Sequence, residues 1–93
     1  TVPEFGIGDR DRFQVGERVT FTTRVLGGRS DDRIRHVWMR DGRVEQVISL
    51  PLGSSSWRTH STKTVGQPGA WAVEVRDVND QALARSSFDV VLR

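Results

Sequence analysis

The sequence contains no cysteine and a single lysine, Lys63, and none of its apolar runs is long. Without cysteine, no disulfide can form and no thiol chemistry is possible. No apolar stretch approaches the roughly 20 residues that a membrane-spanning helix needs, so we expect no membrane contact. The lack of cysteine leaves the compartment open, with an extracytoplasmic location slightly favoured, because all-β domains outside the cytoplasm do not require disulfides.

Arginine supplies thirteen of the fourteen basic residues, and twelve carboxylates bring the net charge down to +2. This preference for arginine is typical of proteins from GC-rich bacterial genomes, and we weigh that explanation above selection for anion binding. No basic stripe with interleaved aromatic residues is present, so we expect no nucleic-acid partner. Because the chain begins at Thr1 and not at Met, we expect a processed form or an excised module, and hence a part of a larger protein.

The clearest structural signal lies in residues 69–76 and 82–92. In the first segment Trp71, Val73 and Val75 alternate with small or polar residues, which is the period of a strand with one buried face. The residues between the two segments are typical of a turn. The second segment returns with its own alternating set, which consists of Ala82, Ala84, Ser86, Phe88, Val90 and Leu92. Together the segments predict an antiparallel hairpin with an apolar inner face.

Weaker patterns predict five further strands. These cover residues 1–7, 18–25, 34–39, 44–50 and 57–65. Residues 34–39 are not cleanly polar on either face, which indicates a central strand covered in part on both sides. Asp41-Gly42 is a strong hairpin signal. In the strand that follows it, the pattern places four residues on one face, namely Val44, Gln46, Ile48 and Leu50.

About seven short strands without any helical periodicity indicate an all-β chain. We therefore predict one domain over residues 1–93, a single antiparallel β-sandwich of immunoglobulin-like type. Trp38 on a middle strand and Trp71 on a later one are its expected central core residues. The disulfide and the tyrosine corner of antibody domains are both absent, so only the architecture is implied.

Several short motifs follow one another along the chain and carry a resemblance. They are His36-x-Trp38, Trp57-Arg58-Thr59-x-Ser61-x-Lys63, Gly69-x-Trp71-x-Val73-x-Val75, Leu83-Ala84 and Phe88-x-Val90. Over roughly residues 13 to 92 the chain resembles a small bacterial domain family known only as a protein of unknown function, often found at the end of longer proteins. The resemblance implies this fold and draws attention to these residues without assigning an activity. His60 stands where the family often has an aromatic residue.

We expect no catalysis and no metal or other cofactor. His60 and Ser61 are adjacent in a predicted strand, so their side chains point to opposite faces and cannot form a nucleophile–base pair. His36 could approach Ser61 from another strand, but the sequence predicts no third group to orient it. The two histidines also lack the local spacing of zinc ligands.

Residues 77–81 begin like a calcium-binding loop, with Asp77, Asn79 and Gln81 at alternating positions. Such a loop ends with a glutamate at its twelfth position, and Phe88 stands there instead. We therefore interpret this segment as a hairpin turn.

Five residues form the candidate ligand-binding set, namely His36, Trp57, Arg58, Ser61 and Lys63. A structural interpretation, which we favour, has Trp57 packing at a sheet edge, Arg58 pairing with a carboxylate and His36 satisfying a buried carbonyl. A functional interpretation has an exposed tryptophan stack on a sugar ring while arginine binds an acidic group. We predict a non-catalytic accessory module that binds carbohydrate, with an anionic glycan favoured. The alternative is a protein-interaction or assembly module that uses a sheet edge.

Overall fold

The computed structural model describes residues 1–29 and 32–92, so Ser30, Asp31 and Arg93 lie outside the description. The described residues form eight β-strands. In chain order these are β1 (Glu4–Gly6), β2 (Arg12–Gln14), β3 (Arg18–Leu26), β4 (Arg33–Arg40), β5 (Arg43–Pro51), β6 (Ser56–Thr64), β7 (Gly69–Arg76) and β8 (Ala82–Val91). None of the residues described belongs to a helix long and apolar enough to cross a membrane.

The strands form two facing sheets. One has three strands in the order β1-β3-β6, and the other has five in the order β2-β8-β7-β4-β5. Neighbouring strands are antiparallel except for β2, which runs parallel to β8 with Phe13 opposite Val90. The predicted all-β sandwich of immunoglobulin-like type is confirmed. The additional strand is β2, whose three residues are too few to produce an alternating pattern in the sequence.

The core lies between the two sheets. The three-stranded sheet contributes Val19, Phe21 and Val25, each at most 5% exposed. The five-stranded sheet faces them with apolar side chains that are equally buried, namely Phe13, Ile34, Trp38, Trp71, Val73, Val75, Phe88 and Val90. Trp71 stacks on Phe88 with ring centroids 6.1 Å apart. The alternating apolar side chains of the β7–β8 hairpin thus face the core, as the sequence predicted.

Strand β4 is buried on both faces. Its His36 and Trp38 point into the core, while Val37 and Met39 form a second small apolar cluster with Ala72 on the outer face of the sheet. The position of β4 between β7 and β5 explains this pattern, because central strands are covered by side chains of both neighbours. The predicted central strand is therefore confirmed.

The prediction that four residues share one face of β5 is wrong at one position. Gln46 pairs with Trp38 and Val44 pairs with Met39, so Glu45 is an extra residue in a β-bulge. The bulge reverses the alternation, because one inserted residue moves every side chain before it to the other face. Val44 consequently lies on the outer face beside Met39 and is 56% exposed.

Replacement of Trp71 by alanine tests the core. Trp71 is 3% exposed, and large-to-small changes at such positions lower the free energy of unfolding by about 3–5 kcal/mol. We expect a loss of this size in Trp71→Ala, measured by urea denaturation. Val78→Ala is the control, because Val78 is 67% exposed and its loss should change the free energy of unfolding by about 0.5 kcal/mol or less. Equal stability of wild type and Trp71→Ala would contradict the packing described.

Candidate functional site

Four polar side chains form a hydrogen-bonded network inside the core. His36 Nε2 lies 2.8 Å from Thr23 Oγ1, and His36 Nδ1 lies 2.6 Å from Ser61 Oγ. The indole N–H of Trp38 donates to the same Ser61 oxygen at 3.1 Å. Thr23 and His36 are fully buried, and Ser61 is 5% exposed. Since hydroxyls can both donate and accept, a neutral imidazole completes these contacts.

The network joins the two sheets. Thr23 lies on β3 and Ser61 on β6, in the three-stranded sheet, whereas His36 and Trp38 lie on β4 of the other sheet. All four occupy inward positions, because residues two apart on a strand share a face. The hydrogen bonds therefore cross the interior of the sandwich and hold β4 against β3 and β6.

Burial keeps the imidazole of His36 neutral. Desolvation, and to a smaller extent the nearby charge of His60, lower its pKa from 6.5 to about 4. The ring of Phe21 packs edge-on against it, with centroids 4.8 Å apart. A protonated imidazole would have two donors and no carboxylate partner in this apolar setting, so the charged form is disfavoured.

His36 and Ser61 have the geometry of a base and a nucleophile, and Thr23 occupies the place of a third group. The expectation that no third group would orient His36 was therefore wrong, because the register of β3 brings Thr23 to the far side of the ring. The pair is nevertheless enclosed, and the Ser61 oxygen already accepts a hydrogen bond from Trp38. A substrate has no access to it. His60 lies exposed on the opposite face of β6, where the sequence predicted it.

Trp57 lies at the start of β6, at the edge of the sandwich. Its ring covers Gly53, where an added Cβ would lie 2.5 Å from ring atoms. The glycine is therefore required for this close approach. Trp57 stays 40% exposed, so part of the indole faces solvent.

Lys63 is near the other end of the same strand. Its Nζ donates to Gln46 Oε1 at 3.1 Å and lies 6.0 Å from the ring centroid of Trp71. Trp57 and Lys63 are six positions apart on β6, which corresponds to about 20 Å. They share a strand face but do not lie next to each other.

Arg58 projects from the outer face of the three-stranded sheet. It donates to Glu4 Oε2 at 2.9 Å, and Arg24 donates to Glu4 Oε1 at 3.1 Å. These side chains border a groove of about 570 Å³. Its lining consists of Glu4, Phe5, Gly6, Ile7, Gly8, Thr20, Thr22, Arg24 and Arg58.

The structure therefore does not bring the five candidate residues to one surface. His36 and Ser61 are in the core, Trp57 and Lys63 are at opposite ends of one edge, and Arg58 is on the outer face. The pairing of Arg58 with a carboxylate and the packing of Trp57 at an edge match the structural interpretation. His36 binds two hydroxyls instead of the expected carbonyl.

The other residues of the groove were not predicted from the sequence. Arg24, Thr22 and Thr20 alternate with the core residues of β3, and the register places Arg24 opposite Arg58. The polar phase of β3 was visible in the sequence. The sequence did not indicate which strand pairs with β3, and that partner determines which side chains lie beside its polar residues.

The structure also bears on metal binding and on the turn at residues 77–81. Among the described residues, no three histidine or carboxylate side chains come together in a way that could hold a metal ion. The Asp77 carboxylate instead accepts hydrogen bonds at 2.9 Å from the backbone N–H groups of Asn79 and Gln81. This arrangement closes the β7–β8 hairpin and is a turn of the kind that Asp favours.

These features define an immunoglobulin-like β-sandwich module. The structure is similar to that of a superoxide reductase (neelaredoxin) from Ignicoccus hospitalis, with a TM-score of 0.59 and 10% sequence identity. The similarity covers 97% of this chain and 82% of the reductase chain. The structure is also similar to the CARDB domain of a Pyrococcus furiosus protein, with a TM-score of 0.56 and 17% identity, over 89% of this chain and 84% of the other. A similarity to a β-glucosidase from Listeria innocua, with a TM-score of 0.55 and 10% identity, covers 97% of this chain and 15% of the glucosidase chain. At these identities the likeness shows the fold alone.

The chain belongs to the family DUF2914, described as a protein of unknown function, whose model matches residues 31–90. The resemblance noted in the motifs is thus confirmed. The match begins just before β4, so β1 to β3 precede it. No curated protein matches the chain.

The buried imidazole predicts that stability depends on pH. The pKa of His36 is about 4 in the folded chain and near 6.5 when unfolded, so the unfolded state takes up the proton first. The contribution of neutral His36 to the free energy of unfolding is complete above pH 6.5. It declines by about 3 kcal/mol in total as the pH falls towards 4. Chemical denaturation between pH 7 and 5 should show this slope. We expect His36→Gln to lose it and the exposed control His60→Gln to keep it, and the reverse result would overturn the assignment.

Removal of the shared hydroxyl tests the network itself. Ser61→Ala leaves the Trp38 N–H and one nitrogen of His36 without a partner, which should lower the free energy of unfolding by about 1–3 kcal/mol. Ser87→Ala makes the same chemical change at an exposed strand position and should stay within about 0.5 kcal/mol of wild type. Similar losses in the two variants would show that the hydrogen bonds to Ser61 contribute little.

Proposed function

We propose that this chain is a non-catalytic accessory module that binds an acidic carbohydrate in the groove on the outer face of its three-stranded sheet. The observation that carries the proposal is the convergence of Arg24 and Arg58 on the single carboxylate of Glu4, beside exposed threonine hydroxyls. Of the five residues predicted from the sequence, Arg58 belongs to this groove.

The two guanidiniums have donors left for a ligand. Each arginine has five N–H donors, and the structure gives one from each to Glu4. Two positive charges therefore share one negative charge, which leaves this end of the groove cationic. Arginine binds carboxylate and sulfate groups through two parallel hydrogen bonds, so an acidic group fits here.

The floor of the groove offers hydroxyl groups. Thr20 and Thr22 are exposed on β3, and the Thr20 hydroxyl lies 3.0 Å from that of Thr62 on β6. The same face ends at Arg18, six positions from Arg24 and hence about 20 Å away. The face thus has cations at both ends and hydroxyls between them, which suits a linear acidic polysaccharide lying along the strands.

The size of the groove suits a saccharide. The volume of about 570 Å³ is within the range of known ligand pockets. An extracytoplasmic location, where such polymers occur, is part of the proposal.

Binding to dextran and to carboxymethyl-dextran, measured by isothermal titration calorimetry, tests the proposal, because the two polymers differ only in their acidic groups. We expect affinity for carboxymethyl-dextran alone. The double variant Arg24→Gln/Arg58→Gln should weaken it by about tenfold or more, since each charge-assisted hydrogen bond contributes roughly 1.5–3 kcal/mol. Arg12→Gln, an exposed change on β2 of the other sheet, is the matched control and should bind as wild type does.

Two further arms separate a carbohydrate site from a general affinity for polyanions. Affinity should fall as salt rises, because exposed charges are screened over about 8 Å at physiological ionic strength. Thr20→Val/Thr22→Val removes the hydroxyls at nearly constant shape and should weaken binding to carboxymethyl-dextran. Equal binding to polyglutamate, or no effect of the threonine changes, would contradict recognition of a saccharide.

Assembly through a sheet edge is the second candidate function, and strand β5 favours it. This strand has nine residues and pairs with β4 on one side only. Its other side presents backbone N–H and C=O groups to which an added strand can bind.

A further inference from the structure

We propose that β5 pairs antiparallel with β5 of a second copy of this chain, about a twofold axis at Val47. The inference rests on the second candidate function, assembly through a sheet edge, and names the partner. The paired strands would join two five-stranded sheets into one of ten strands.

The sequence of β5 lacks the features that usually protect an edge. Natural edge strands carry charges or proline, or are very short. Residues 46–50 of β5 are Gln-Val-Ile-Ser-Leu, without any charge, and they include the β-branched residues that strands prefer. The charges Arg43 and Glu45, together with the bulge, lie before this segment, and Pro51 ends it. Val47 is 49% exposed on the outer face of the sheet.

The other edges of the described sheets are protected. Strands β1 and β2 have three residues each, which leaves little backbone for pairing. Strand β6 is as long as β5 but carries Arg58, His60 and Lys63. A second chain pairing with itself along β6 would bring like charges together. Strand β8 is also unpaired on one side beyond its short contact with β2, but Arg85 lies in that stretch. Among the described residues, β5 therefore has the longest uncharged edge segment.

A second copy is the partner that this segment fits. In an antiparallel pair centred on Val47, the two copies of Val47 lie directly opposite each other on the outer face, at the distance of a cross-strand pair. Gln46 then faces Ile48 of the partner subunit, and Glu45 faces Ser49 of the partner subunit. No like charges meet anywhere in this register. The interface is self-complementary, as a twofold dimer requires.

Sedimentation velocity over a range of protein concentrations tests the inference. We expect a monomer–dimer equilibrium for the wild type. Val47→Lys and Val47→Glu should each raise the dissociation constant by roughly tenfold or more, because two like charges then oppose each other at the axis. An equimolar mixture of the two variants should associate again, since lysine then faces glutamate. Val78→Lys is the matched control, since Val78 is 67% exposed in the β7–β8 turn, and it should associate as wild type does.

The outcomes separate the identity of the partner from the use of the edge. A wild type that stays monomeric, or a dimer that Val47→Lys does not weaken, overturns the pairing of β5 with a second copy of the chain. Failure of the mixed variants to associate overturns the register centred on Val47. If the wild type is monomeric, selection from a library of extended peptides decides strand addition itself. Peptides that bind the wild type and Val78→Lys but not Val47→Lys would show that β5 accepts a strand from another partner. If no such peptide is found, both strand addition at β5 and self-pairing are overturned.

Discussion

The sandwich depends on the hydrogen bonds that cross its interior at His36. Antibody-type domains hold their two sheets together with a disulfide beside a buried tryptophan. This chain has the buried tryptophan, Trp38, but no cysteine, and the hydroxyls of Thr23 and Ser61 meet the imidazole instead. Because an unpaired buried polar group costs about 1–3 kcal/mol, a packing that separates these groups is disfavoured. The network thus selects one alignment of β4 against β3 and β6.

This alignment also determines what the outer surface presents. If Ser61 must point inward, then its neighbours His60 and Thr62 point outward, and so does Arg58. A shift of one residue would bury Arg58 and expose the hydroxyl that the imidazole needs. The cationic groove is therefore a consequence of the buried network, since the same register that satisfies His36 places Arg58 opposite Arg24.

Local patterns in the sequence predicted the fold, because the alternation in β3, β7 and β8 reflects burial on one face of each strand. They did not predict the bulge at Glu45 or the short β2, since neither has a pattern of its own. For the candidate site, the sequence identified Arg58 as a residue that pairs with a carboxylate, but not its partner Glu4, which lies 54 positions away. Contacts of that kind depend on strand order, which no local period encodes. The sequence did not predict that His36 and Ser61 are buried and hydrogen-bonded to each other, for the same reason.

The two proposed surfaces are compatible because they lie on different sheets. The groove is on the outer face of β3 and β6, whereas β5 is the edge of the five-stranded sheet. Pairing through β5 leaves both grooves of a dimer open, and two grooves on one rigid body can bind the same polymer. The second contact is then intramolecular, which raises apparent affinity without any new interaction. A polysaccharide with repeated acidic groups gains from this arrangement, whereas a single acidic sugar does not. The weak individual contacts of a shallow, solvent-exposed groove are thus consistent with firm binding of a long chain.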